Sequence, residues 1–111
     1  MSYDLYLCDP VTHETIMLGE PHHGGERAHV NVTFNYESVF SIVFPGLRGI
    51  YTIAGETGAS AIPILRAAIG KLGDDVSDDY WAATEGNAKR ALFQILALCV
   101  MRPDGVWRIG K

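Results

Sequence analysis

From Thr84 to Met101 the chain reads as one long helix, and that run limits what the remaining residues can build around it. Apolar residues recur at Ala88, Ala91, Leu92, Ile95, Leu96 and Cys99, the spacing of a single helical face. Between Leu92 and Met101 only Gln94 is polar, so the C-terminal half is apolar nearly all round. A helix of that kind belongs inside a protein. At about 1.5 Å per residue it is roughly 27 Å long, enough to cross a small domain. Leu92, Ile95, Leu96 and Cys99 are therefore expected to be almost fully buried, with this segment as the central core helix. The 111 residues make one ordinary domain, residues 1–111, and are too few for two.

The preceding chain supplies a sheet and further helices. Tyr3 to Cys8 alternates, with Tyr3, Leu5 and Leu7 on one face. Asp9-Pro10 begins a turn, and Thr15 to Leu18 returns as the second strand of a hairpin. Glu20 to Arg27, with Pro21, His22, His23, Gly24 and Gly25, is a loop by composition. His29 to Phe34 alternates again, with Val30, Val32 and Phe34 inward and Asn31 and Thr33 outward. Asn35 can cap a helix whose apolar positions are Tyr36, Val39, Phe40, Val43 and Phe44. Gly49 to Gly55 is an apolar connector. A further helix is expected from Ser60, with Pro63 in its first turn, an inward stripe of Ile62, Leu65, Ile69 and Leu72, and Gly73 as its stop. Pro103-Asp104-Gly105 turns the chain into a final strand from Val106 to Ile109. The expected class is α+β: a small antiparallel sheet packed on one face by two or three helices.

Charge and cysteine content exclude several functions. The formal charge is −4, which supplies no basic footprint for direct binding to duplex DNA. Asp74, Asp75, Asp78 and Asp79 crowd together before the core helix, where negative charge suits the positive helix end. Their spacing is not that of a calcium loop. Cys8 and Cys99 form neither a disulfide framework nor a C-x-x-C pair. No charged-then-apolar leader opens the chain and no apolar run has membrane length, so a cytoplasmic protein without a membrane partner is expected. His22 and His23, with His13 and His29 nearby in sequence, lack a helical i, i+4 pair. No metal and no cofactor is expected, and no serine, histidine and acid sit in a recognisable nucleophile setting.

Two helix starts carry the remaining signal. Gly55-Glu56-Thr57-Gly58-Ala59-Ser60 precedes one, and Thr84-Glu85-Gly86-Asn87-Ala88 opens the other. Free N–H groups at a helix start attract anions, and glycine admits a phosphate closely, although neither stretch is a Walker loop. Thr57, Gly58, Ser60, Thr84, Gly86 and Asn87 are thus candidate anion ligands, with Ser60 and Thr84 equally suited to plain capping. Tyr80 and Trp81 could stack on a base while Lys89 and Arg90 meet phosphates. Trp81 is expected instead to pack against the helix it introduces, as a hydrophobic staple does.

Several of these stretches together resemble a family. Ser2 to Thr12, Val32-Thr33-Phe34-Asn35-Tyr36, Thr57-Gly58-Ala59 with Ile62-Pro63, Asp79-Tyr80-Trp81 with Ala83 to Ala88, and Arg102 to Trp107 are similar to small proteins of bacteriophage and prophage genomes. The chain departs from them in a shorter loop from Glu20 to His29. The family carries no assigned activity, and the resemblance implies a viral origin and action by binding a host molecule. The leading expectation is a non-catalytic anti-defence protein that sequesters a small nucleotide signal between the helix starts. The alternative is an inhibitor or assembly factor that binds a host protein through its acidic loop and apolar surface. An enzyme acting on nucleotides is the third expectation, and a homo-oligomer is compatible with each.

Overall fold

Alternation in the first strand organises the sheet. A computed structural model describes residues 1–19 and 26–110. The first strand, β1 (Ser2–Cys8), buries Tyr3, Leu5 and Leu7 on one side and leaves Asp4 and Tyr6 half-exposed on the other. It lies at the centre of an antiparallel sheet. On one side is β4 (His29–Thr33), with Leu5 opposite Val30 and Tyr3 opposite Val32. On the other is β5 (Val106–Gly110), with Leu7 opposite Trp107. Val30, Val32 and Trp107 complete the buried face.

The expected hairpin after β1 forms only in part. Cys8 bridges Thr15 and the Ile16 N–H donates to the Leu7 carbonyl, after which the chain leaves β1. Met17–Leu18 (β2) then pairs with Glu26–Arg27 (β3) as a separate small sheet. Both sides of β1 are already taken by β4 and β5, so β2 has no edge there to join. Thr33, expected outward, is buried because its hydroxyl caps the next turn by accepting from the Asn35 N–H. The histidine pair and the glycines of residues 20–25 lie outside the described residues.

Three helices follow. A 3₁₀ turn over Phe34–Tyr36, capped by Thr33 and not by Asn35, runs into α1 (Glu37–Val43). Tyr36, Phe40, Val43 and Phe44 enter the core as their spacing requires. The connector is a 3₁₀ segment, Gly49–Ile53, that buries Ile50 and Ile53. The next helix, α2 (Gly58–Ile69), starts earlier than expected, with Thr57 as its N-cap and Ser60 answering in a capping box. Pro63 consequently falls in the second turn, where it forfeits one backbone hydrogen bond, with its ring exposed. The inward stripe is Ala61, Leu65, Ala68 and Ile69, continued by Leu72, while Ile62 is only half-buried. The helix ends at Ile69, before Gly73 is reached.

The long helix, α3 (Glu85–Met101), packs against α2 and the inner face of the sheet. Ala88, Ala91, Leu92, Ile95 and Cys99 are buried, and the Trp107 indole N–H points at the Cys99 sulfur, 3.2 Å away. Burial pushes the Cys99 thiol pKa up. The expectation that Leu96 is fully buried fails, since it is only partly covered. Phe93, Val100 and Met101 are 50%, 61% and 58% exposed. The remaining chain is too short to wrap the third side of a helix this long. The class is α+β, as its sequence indicates, with the long helix lying on the sheet and one flank open. Among the described residues no helix is long and apolar enough to cross a membrane.

Candidate functional site

The two helix starts lie at opposite ends of an antiparallel pair. The Gly58 N–H donates to the Gly105 carbonyl and the Ala59 N–H to that of Pro103, which seats the start of α2 against the end of α3. At the other end, Glu85 Oε1 accepts from the Gly73 N–H, and Lys89 Nζ donates to the Leu72 carbonyl. The separation follows from α3 itself, about 25 Å long at 1.5 Å per residue. Thr57, Gly58 and Ser60 therefore share no pocket with Thr84, Gly86 and Asn87.

Each start also has most of its N–H groups occupied. In α2 those of Gly58, Ala59, Ser60 and Ala61 reach Gly105, Pro103, the Thr57 hydroxyl and the Thr57 carbonyl. In α3 the Gly86 N–H donates to Asp75, and those of Asn87 and Ala88 donate to the hydroxyl and carbonyl of Thr84. The glycines admit the protein's own backbone. A Cβ on Gly58 would lie 2.6 Å from the Arg102 carbonyl oxygen, and one on Gly86 would lie 2.7 Å from that of Asp75. Thr84 is the N-cap expected, and Ser60 is the third residue of a box that Thr57 caps.

What the structure does gather is a loop, residues 75–84, built around Asn87. This amide is 1% exposed and uses all of its hydrogen-bonding capacity. Its Oδ1 accepts from the Ser77 N–H at 3.1 Å and from Arg90 at 3.2 Å. Its Nδ2 donates to the carbonyls of Asp79, at 3.0 Å, and Ala82, at 3.1 Å. Two residues after β4 complete the hold: the Tyr36 hydroxyl donates to the Tyr80 carbonyl and Asn35 Nδ2 to that of Trp81. Burial raises the Tyr36 phenol pKa, with the neighbouring Tyr80 adding to the shift. Thus fixed, Tyr80 and Trp81 stand edge to face with centroids 5.1 Å apart. Trp81 does not pack beneath its helix as a staple: it is 58% exposed, because the carbonyl bonds turn the loop outward.

Charge around this tip is mostly negative. Asp74 pairs with Lys89 at 2.7 Å, and that hydrogen bond holds its carboxyl below the ordinary range. Lys89 is thereby a strut between α3 and the chain that follows α2. Asp75, Asp78 and Asp79 have no ion pair among the described residues. Arg90 is exposed and touches Asn87 but no carboxylate. Tyr80, Trp81, Asn87 and Arg90 are therefore the part of the sequence-derived site that is assembled in space.

A second cluster escaped the sequence. On the open sheet face Asp4 Oδ1 accepts from Asn31 Nδ2 at 3.0 Å and lies 2.9 Å from His29 Nε2, while the Tyr6 and His29 rings stack at 4.6 Å. The Asn31 and His29 hydrogen bonds hold the Asp4 carboxyl low. These residues sit on facing strands some 25 positions apart, a proximity visible only once the register is known. The cluster clamps β1 to β4, with its polar groups turned toward one another. Among the described residues no three of His, Cys, Asp and Glu are grouped to hold a metal ion. Compared with known protein families, curated proteins and solved structures, the chain matches none.

Proposed function

We propose that this chain is a non-catalytic binding protein that docks on another protein through Tyr80 and Trp81. The observation that supports this is a tryptophan held 58% exposed by a loop whose internal bonds converge on one buried amide. A large aromatic presented on a fixed backbone is a usual anchor of a protein interface, since the chain that carries it loses little entropy when it is covered. Asp75, Asp78 and Asp79 around it favour an apolar pocket rimmed with lysine or arginine, and would steer the encounter. On the resemblance to phage and prophage proteins, the partner is a host protein of the defence apparatus and the place of action is the host cytoplasm.

The test compares wild type with Trp81→Ala against the protein captured from a bacterial lysate, identified and then titrated in purified form. An anchor of this type contributes at least about 2 kcal/mol, so affinity should fall by roughly thirtyfold while the melting temperature holds. A partner bound equally well by Trp81→Ala would overturn the proposal. Nucleotide sequestration keeps Trp81 and Arg90 as stacking and phosphate groups but loses the paired helix starts. It would replace the protein-docking proposal if a mono-, di- or cyclic nucleotide at a hundred times its dissociation constant stabilised the fold by about 2.7 kcal/mol in an Arg90-dependent way.

A further inference from the structure

We infer that the open edge of β4 takes up an extended segment of another protein as an added strand, seated in the groove between β4 and α3. This goes beyond the Trp81 docking surface and stands if that reading fails. β1 pairs with β4 through alternate residues. The Phe34 N–H reaches the Met1 carbonyl and the Leu7 N–H that of Ala28, so in the unbroken register between them Val30 and Val32 turn their backbone groups to β1. His29 and Asn31 turn theirs the other way, and no backbone or side-chain group among the described residues meets them there. Neither lysine nor proline lies in β4 to guard that edge. Unpaired amides and carbonyls at strand spacing are satisfied together, apart from water, by a second strand.

The surroundings of the edge select the occupant. Leu18, Val30, Gln94, Ala97 and Leu98 line a groove of about 790 Å³ along it, with α3 as the wall opposite the strand. A strand added to β4 therefore places alternate side chains against Ala97 and Leu98, and the others beside His29 and Asn31 on the open sheet face. The first set is apolar and the second polar. A second copy of this chain does not fit. Antiparallel pairing of two β4 strands keeps both helix layers on one side of the sheet, with the strands about 4.8 Å apart. Helices packed side by side need about 8–10 Å, and α3 stands against β4 itself, so the two α3 helices would collide. A single strand with no layer behind it avoids that collision. Charge narrows the choice further: Glu26 and Arg27 line the groove with one charge of each sign, and neither is in an ion pair among the described residues. The fitting strand is thus near neutral, since a run of one sign would meet its like.

The test starts from a displayed library of peptides about seven residues long, since β4 covers about 17 Å with its 5 residues. Peptides selected on the whole chain are synthesised and titrated while amide exchange is followed by nuclear magnetic resonance. Before addition, the His29 and Asn31 amides should exchange fast and those of Val30 and Val32 slowly. A bound peptide should alternate apolar and polar residues, protect His29 and Asn31, and have a Kd of about 1–100 µM, as small interfaces do. Asn31→Pro removes an outward backbone N–H, a change that edge strands tolerate, and should weaken binding by at least about tenfold. Asn31→Ala keeps that N–H and should bind like wild type. If Asn31→Pro fails to fold, Ala97→Tyr fills the groove from an exposed position on α3 and should abolish binding. A library that yields no binder, a peptide that leaves His29 and Asn31 exchanging fast, or binding to Asn31→Pro or Ala97→Tyr as tight as to wild type would overturn the added strand. So would an equal loss in Asn31→Ala and Asn31→Pro. Protection of those amides that grows with the concentration of the chain alone would overturn the peptide in favour of a second copy.

Discussion

Removing the Asn87 amide gives the sharpest test of how the Trp81 tip is held. In Asn87→Ala the Ser77 N–H and the carbonyls of Asp79 and Ala82 lose their side-chain partner. At about 1 kcal/mol net per hydrogen bond, and with some of these groups able to swing toward water, the loss should be about 2–4 kcal/mol. Unfolding entropy near 2.1 cal/mol/K per residue makes each kcal/mol worth about 4 °C in a chain of this length. The melting temperature should therefore fall by about 8–17 °C. Asn87→Asp keeps the shape but turns an oxygen toward two carbonyl oxygens, so it should cost at least as much despite being nearly isosteric. Hydrogen exchange gives the local measure, because the Ser77 amide and the amides of residues 79–84 should lose protection before those of β1. Both variants melting within about 2 °C of wild type would refute the reasoning. That result would mean that the bonds from Tyr36 and Asn35, with the aromatic contacts, hold the loop without Asn87.

Gly86→Ala should be destabilising by about 1–3 kcal/mol, read by denaturant titration, because the new methyl meets the Asp75 backbone and not a movable side chain. Leu92→Ala should cost about 2–5 kcal/mol in the same assay, and Leu96→Ala clearly less, since Leu92 is fully buried and Leu96 only partly. Stability should also fall in acid through Asp4. Its carboxyl is held lower in the fold than in the unfolded chain, so its contribution is present above the unfolded pKa and is lost as pH drops through the folded one. Asn31→Ala, which removes the larger cause, should flatten that part of the pH–stability curve.

Sequence periodicity located α3 and the strands because each element repeats its own spacing. It placed Ala88, Leu92, Ile95 and Cys99 correctly inward. It misplaced Leu96, and with it the whole far side of the helix, because an apolar residue facing solvent and one facing the core look alike in a sequence. The helix starts were recognisable locally, yet their mutual position depends on which end of α3 meets Thr57, and no local pattern encodes that. In sequence, Asn87 reads as a possible anion ligand. Its role as the hub of a loop depends on three backbone groups between Ser77 and Ala82, whose path is fixed in turn by Tyr36 and Asn35. The sequence neighbours of Trp81 suggest packing, whereas the carbonyls of Trp81 and Tyr80 are held by Asn35 and Tyr36, 46 and 44 positions away.

The sheet order has a consequence for how the chain is made. β1 lies between β4 and β5, and Leu7 pairs with Trp107 across 100 positions of sequence. During synthesis β1 can gain its β4 neighbour early, but its other edge stays open until every residue through β5 has been translated. At about 5–20 residues per second that interval lasts several seconds at least. An open strand edge is a template for pairing with another chain. In that interval the inner sheet face also lacks Trp107, and Cys99 lacks the indole that covers it. Nascent chains stalled before Val106 should therefore recruit chaperones and aggregate, whereas those stalled far enough downstream to free β5 from the ribosome should not.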